Sequence, residues 1–211
     1  MKISRMEDEN DHHIVVGVSN VDAQIRREQE HARALRLANY DALTGIKSKH
    51  AYSEEERKID RQISLGGQDA FGIVMCDVNG LKQINDARGH KMGDQFLKDA
   101  CKIICTIFRH SPVYRVGGDE FAVLLRNGDY TIRAKLMRML EKRNEKAEQQ
   151  LKLLQEKGVD MITGTLQHPE CIMIAGGLSI YRPGEDKCAS EVFERADLAM
   201  YENKKMLKSE L

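Results

Sequence analysis

Apolar positions along the chain switch between two periods, and the switches mark out its elements. From Val21 to Asn39, Val21, Ile25, Ala32 and Leu35 fall on one stripe at steps of three and four, with Glu28 interrupting it. The pattern predicts a helix, and two uses stand open for it: weak pairing with a second copy, or a solvated linker. Residues 1–20 read as a turn and one strand around Ile14-Val15-Val16, too little to fold alone. Ala51–Ile63 reads as a largely polar helix ended by Gly66-Gly67. Phe71–Cys76 is a continuous apolar run, as in a strand buried on both faces. Gln95–Phe108 gives the clearest helical repeat, through Phe96, Leu97, Ala100, Cys101, Ile104, Ile107 and Phe108, and Pro112 stops it. Val113–Val116 and Phe121–Leu125 read as strands joined by a hairpin at Gly117-Gly118. A long charged helix, Tyr130–Lys157, precedes a loop over 158–170. A strand, Cys171–Ile180, and an amphipathic helix, Ser190–Lys208, close the chain, the helix turning Val192, Phe193, Ala196, Ala199 and Met200 inward. The alternation predicts an α/β fold: a mixed central sheet flanked by helices, with an N-terminal helical extension.

Composition narrows the function. Lys and Arg total 33, as do Asp and Glu, so the net charge is zero and no basic surface is available for general nucleic-acid binding. No apolar run is long enough to span a bilayer, and no secretory signal is visible, so no membrane partner is expected within the 211 residues. Cys76, Cys101, Cys105, Cys171 and Cys188 show no CxxC spacing, which predicts reduced core thiols of a cytoplasmic protein.

The chemistry-bearing residues are acidic and sit at strand ends. Asp77 follows the buried run, and Asp119-Glu120 sit at the hairpin. If the two strands are neighbours, three carboxylates converge. Their repulsion calls for a cation, and hard oxygen donors suit Mg²⁺ or Mn²⁺ held together with substrate phosphates. Two such ions serve phosphoryl or nucleotidyl transfer. On spacing alone it is equally consistent that Asp119-Glu120 merely polarise a turn and Asp77 caps the next one. Between the two acidic sites, Val78-Asn79-Gly80-Leu81-Lys82 is a short glycine-bearing turn able to aim N–H groups at phosphates. Asp94 reads either as a helix N-cap or, with Asn85, as a reader of a guanine edge.

These residues together resemble the GGDEF-domain family of diguanylate cyclases. The likeness is carried by Arg115-Val116-Gly117-Gly118-Asp119-Glu120-Phe121 and by Asp77-Val78-Asn79-Gly80-Leu81-Lys82-Gln83-Ile84-Asn85-Asp86 with Gly89-His90 and Gly93-Asp94. It extends to Asp41-Ala42-Leu43-Thr44-Gly45 and to Ala196-Asp197-Leu198-Ala199-Met200-Tyr201-Glu202-Asn203-Lys204. The resemblance implies a nucleotidyl-cyclase or polymerase-palm fold over residues 40–211, and condensation of two GTP into cyclic di-GMP with release of pyrophosphate. It implies metal ligation by Asp77, Asp119, Glu120 and the Val78 carbonyl, with Asp119 also as general base. Asn85 and Asp94 would read guanine, His90 would lie near the nucleotide, and Lys82 and Lys204 would meet phosphates. Each domain holds one GTP, so a homodimer is required. A silent relative that only binds GTP or cyclic di-GMP is the alternative.

Three departures stand out. The family's product-inhibition motif, Arg-x-x-Asp, falls on Phe108-Arg109-His110-Ser111, so weak or absent inhibition is expected there. Leu207-Lys208 stands in place of the usual Gly-Arg. Residues 130–170 are longer than the family's usual connection. The stretch His12–Asp22 resembles the last strand of a PAS-type sensor running into a signalling helix over 21–39, as in a bacterial receptor of which Met1 need not be the natural start.

Overall fold

The computed structural model describes residues 2–8, 11–17 and 21–209. It divides into two compact units, 1–37 and 38–211. In the first, β1 (Lys2–Asp8) pairs antiparallel with β2 (Asp11–Gly17), in register from Lys2↔Gly17 to Asp8↔Asp11. The expected turn plus one strand is therefore a full hairpin; the charged Lys2–Asp8 segment carries little apolar alternation and pairs through its backbone. Residues 18–20 of the PAS-like stretch lie outside the described residues. Helix α1 (Val21–Asn39) has the expected bounds.

The second unit is a five-stranded sheet in the order β3-β5-β6-β4-β7, built from β3 (Lys47–Ser48), β4 (Gly72–Val78), β5 (Val113–Arg115), β6 (Glu120–Leu125) and β7 (Ile174–Ile180). The β3–β5 pair is parallel and the rest are antiparallel, so the sheet is mixed, as the alternation predicts. All seven residues of β4 are buried between neighbouring strands and helices on both faces. One face packs on α2 (Lys49–Ser64) and α8 (Ala189–Ser209), through Ile59, Ile73, Met75, Val192, Ala196 and Met200. The other packs on α3 (Leu81–Arg88), α4 (His90–Ile107) and the front of α6 (Arg133–Glu156), through Val74, Cys76, Phe96 and Leu140. Gly177 is the closest approach of the α8 face. A Cβ there would lie 2.1 Å from Met200 N and 2.3 Å from Ala196 O, so α8 rests directly on the strand backbone.

Several expectations need correction. Asp77 lies inside β4 rather than after it. The turn-like stretch before Gln95 is helical: α3 fills Leu81–Arg88 and α4 begins at His90, one turn before the apolar repeat starts, with Gly89 at the junction. Asp94 is therefore not an N-cap but an exposed position within α4. The long charged helix breaks at Ile132 between α5 (Asn127–Thr131) and α6. The loop over 158–170 holds α7 (Met161–Gln167), capped by Asp160, whose carboxylate accepts from Thr163 N at 2.9 Å, and a 3₁₀ turn at Pro169–Cys171. A seven-residue helix made by its cap and its packing leaves too short a repeat to read in advance. All five cysteines are free thiols, but Cys105 and Cys188 are only half-buried. Among the described residues no helix is long and apolar enough to cross a membrane.

Candidate functional site

The site forms where β4 and β6 end side by side. Asp77 and Glu120 are direct partners in the antiparallel ladder, so their side chains leave the same face of the sheet. That face is the one α8 covers, and Lys204 of α8 donates to Asp77 Oδ2 at 2.6 Å. Asp77 is buried, while Asp119 and Glu120 are half-buried. The hairpin tip is fastened to β4 by Val78 N, which donates to the Asp119 carbonyl at 3.0 Å. Like charges directly opposite in a ladder destabilise a sheet, so the pair is costly unless other charge answers it. Glu120 records that cost. Burial raises its pKa above the ordinary value of 4.5, and Asp119, Asp197 and Asp77 raise it further, with Lys204 opposing.

The donor set is thus carboxylate oxygen in excess over one ammonium. Among the described residues, no three acidic, histidine or cysteine side chains are gathered so as to enclose a metal ion by themselves. Mg²⁺ does not require such a cage, since it is held by one or two carboxylates plus substrate phosphates. Asp77 and Glu120, hard, adjacent and under mutual repulsion, fit that requirement.

The tip is clamped by residues to which the sequence assigned no role. Arg115 donates through Nε and NH2 to the Gly118 carbonyl at 3.2 and 2.7 Å, and through NH1 to Asp41 Oδ1 at 3.1 Å. Asp41 also accepts from Thr44 N and Oγ1 at 2.9 and 2.7 Å. Burial works to raise the Asp41 pKa, and the Thr44 and Arg115 hydrogen bonds outweigh it, leaving the group below 3.8. The Asp41–Gly45 motif therefore acts as a latch on the residue before Asp119. Gly117 lets Glu120 fold back: a Cβ there would meet Glu120 Oε2 at 2.3 Å. Asp197 is the other residue missed. Its signal was its place one helical turn before Tyr201 and two before Lys204, on the helix that meets the acids.

The remaining candidates gather around α3 and α4, which pack on each other. Gly80, at φ 93°, makes the left-handed turn from β4 into α3 and leaves the first N–H groups of α3 at the strand end. Lys82 is exposed on the first turn of α3. Asn85, half-buried, lies against Gly93, where a Cβ would sit 1.9 Å from its Oδ1. His90 and Asp94 are exposed and four apart on α4, hence on one face. Lys204 meets the Asp77 carboxylate. At the position of the Arg-x-x-Asp motif, Phe108 is fully buried and Ser111 Oγ donates to Asp129 Oδ2 at 2.6 Å. Leu207 is buried, whereas the Lys208 side chain lies outside the described residues.

Residues 38–210 match the family described as diguanylate cyclase, GGDEF domain. The cyclic di-GMP phosphodiesterase PdeR of Escherichia coli (strain K12) is 40% identical over 103 residues, which is 48% of this chain and 15% of that protein. The diguanylate cyclase DgcS of Shewanella oneidensis is 26% identical over 168 residues, 79% of this chain and 50% of that protein. The chain thus spans half the length or less of these curated relatives. Among solved structures, the coiled coil and GGDEF domain of DgcB from Caulobacter crescentus, in complex with c-di-GMP, superposes with a TM-score of 0.63. It is 22% identical, over 88% of this chain and 91% of that one, and the two share the fold. With the acidic hairpin, the α3–α4 turn and the closing helix all inside the matched span, the chain belongs to the GGDEF-domain family.

Proposed function

We propose that residues 38–211 form a diguanylate cyclase domain, joining two GTP into cyclic di-GMP with release of two pyrophosphates. The observation that carries this reading is the facing of Asp77 and Glu120 across β4 and β6, beside Asp119 and under Lys204. A sheet does not retain directly opposed acids, one of them buried, for stability, and a cation-bound triphosphate answers their charge. Asp77, Glu120, Asp119 and the Val78 carbonyl would hold Mg²⁺ or Mn²⁺, which supplies charge neutralisation at the transferring phosphate. Asn85 and Asp94 read the guanine edge, with His90 alongside. Lys82 and the N–H groups opening α3 take phosphate oxygens. Lys204 sets the Asp77 carboxylate and lies within reach of the same charge. Asp119 accepts the proton of a 3′-hydroxyl as that oxygen bonds to the α-phosphorus of the second GTP and the bond to pyrophosphate breaks. Two such transfers close the ring, and each requires a second domain facing the first, so catalysis rests on positioning and preorganised charge. The names of DgcS and of the diguanylate cyclase A of Treponema denticola, 28% identical over 82% of this chain, support the reading.

On this reading the buried Phe108 and the inward-bonded Ser111 leave no anion-and-cation pair for product at the Arg-x-x-Asp position. The segment before residue 38 belongs to an upstream PAS-like sensor and signalling helix, and the domain works in the cytoplasm.

The test is incubation with GTP and Mg²⁺ across a range of protein concentrations. Cyclic di-GMP should form at a rate per protomer that rises with concentration, and Asp119→Ala should abolish it. GTP binding without any pyrophosphate release from a demonstrably dimeric sample would instead establish the receptor alternative.

A further inference from the structure

A cavity of about 560 Å³ lies between the turn into α3, α3 itself, α4 and the segment that joins β6 to β7. Its apolar walls are Ile84 of α3, Phe96 of α4, Leu151 of α6, Ile162 of α7 and Met173 before β7. Its polar lining is Asn79, Gln83 and Thr165, and among the described residues no charged side chain lines it. The volume is that of small-molecule sites, which are likewise mostly apolar with a few placed polar groups. It shares Asn79 and Gly80 with the turn into α3, but among the described residues no Lys or Arg lines it, unlike a triphosphate site, and none of Asp77, Asn85, Asp94 or Glu120 does.

One group in it lacks what its chemistry requires. The Asn79 amide is buried, and neither its oxygen nor its nitrogen has a hydrogen-bond partner among the described residues. Asn79 is held in place by its own backbone, whose N–H donates to the Met173 carbonyl at 3.0 Å. A buried amide offers an acceptor and donors side by side, and leaving them unmatched is costly. The amide's terminal torsion is soft, so turning it toward the cavity is cheap. The outer wall is anchored: Arg88 at the end of α3 donates to Thr163 Oγ1 of α7 at 2.9 Å, and Thr163 donates in turn to Asp160.

We propose that this cavity is a second ligand site, distinct from the nucleotide site, for a neutral planar molecule whose edge carries an adjacent N–H and C=O, such as a lactam or an amide-bearing heterocycle. The apolar walls take the ring, and the Asn79 amide pairs with the edge.

The probe is 2-quinolinone, with quinoline as the ring lacking the N–H and C=O pair, titrated into the whole chain at neutral pH and followed by NMR. The expected result is saturable one-to-one binding of 2-quinolinone with contacts to Ile162 and Thr165, and binding of quinoline about tenfold weaker or more. Ile162→Trp should fill the cavity and abolish binding. Asn79→Leu should erase the preference between the two probes while leaving the melting temperature equal or higher. Lack of saturable binding, equal affinity for quinoline, or contacts outside the cavity would overturn the proposal. The wild-type contacts decide the matter even where a variant fails to fold.

Discussion

Gly93→Ala should separate folding from the proposed nucleotide recognition. Gly93 is buried inside α4, and an added Cβ would stand 1.9 Å from Asn85 Oδ1, 2.9 Å from its Cγ and 3.2 Å from Leu81 Cδ1. The obstruction is the end of a mobile side chain, so Asn85 swings aside rather than the helices separating. That displacement costs about 0.5–1.5 kcal/mol in rotamer strain. Replacing a helical glycine by alanine returns roughly 1 kcal/mol. The two nearly cancel, and the melting temperature should stay within about 4 °C of wild type. Guanine recognition by Asn85, as proposed above, has no such compensation. Losing the Asn85 amide as a base partner costs about 1–3 kcal/mol, or roughly 5- to 150-fold in GTP affinity. Calorimetric titration with a non-hydrolysable GTP analogue measures this directly. In an Asn85→Ala background, Gly93→Ala should add almost nothing, because both changes remove the same contact. A well-folded Gly93→Ala protein that binds GTP within twofold of wild type, or that loses as much affinity without Asn85 as with it, would refute the reasoning.

Three further outcomes are expected. Lys204→Met removes the cation 2.6 Å from the Asp77 carboxylate and should cost roughly 2–4 kcal/mol; thermal melts should show Mg²⁺ stabilising the variant more than the wild type. Arg195 donates to Asp186 at 2.6 and 2.9 Å, and Asp186 also accepts from Arg182 N at 2.7 Å, which together hold its carboxyl below 3.8. Since the folded value is depressed, this stabilisation is whole above pH of about 4 and lost as pH falls through the lower folded value, so the melting-temperature gap to Asp186→Asn should close only in acid. Added cyclic di-GMP should leave the initial rate unchanged, and Phe108→Arg should not install inhibition but should cost about 3 kcal/mol or more, because it buries a charge in the core; rate assays and melts check both parts.

How much was legible beforehand followed from how local each cause is. The seven-residue burial of β4 and the hairpin at Gly117-Gly118 are written in consecutive residues, and the structure keeps them with shifts of a residue or two. The α3 helix was not, because its eight residues are mostly polar and bury only Ile84, so packing on α4 rather than periodicity holds it. The same is true of α7, which a cap and packing on α3, α6 and the 3₁₀ turn make possible. The acids Asp77, Asp119 and Glu120 were legible as types at strand ends, but whether they meet depended on the pairing of β4 with β6, which only the tertiary structure supplies.

By itself, then, the order of residues settled the mixed α/β architecture and the kinds of chemical group placed at its turns, since hydrophobic period and turn chemistry act over a few neighbours. Tertiary structure alone decided which groups face each other: Asp77 opposite Glu120, Lys204 reaching Asp77 across 127 positions, and Arg115 reaching Asp41 across 74. Strand register and helix docking fix those encounters, and both come from the burial of the whole core rather than from any local segment.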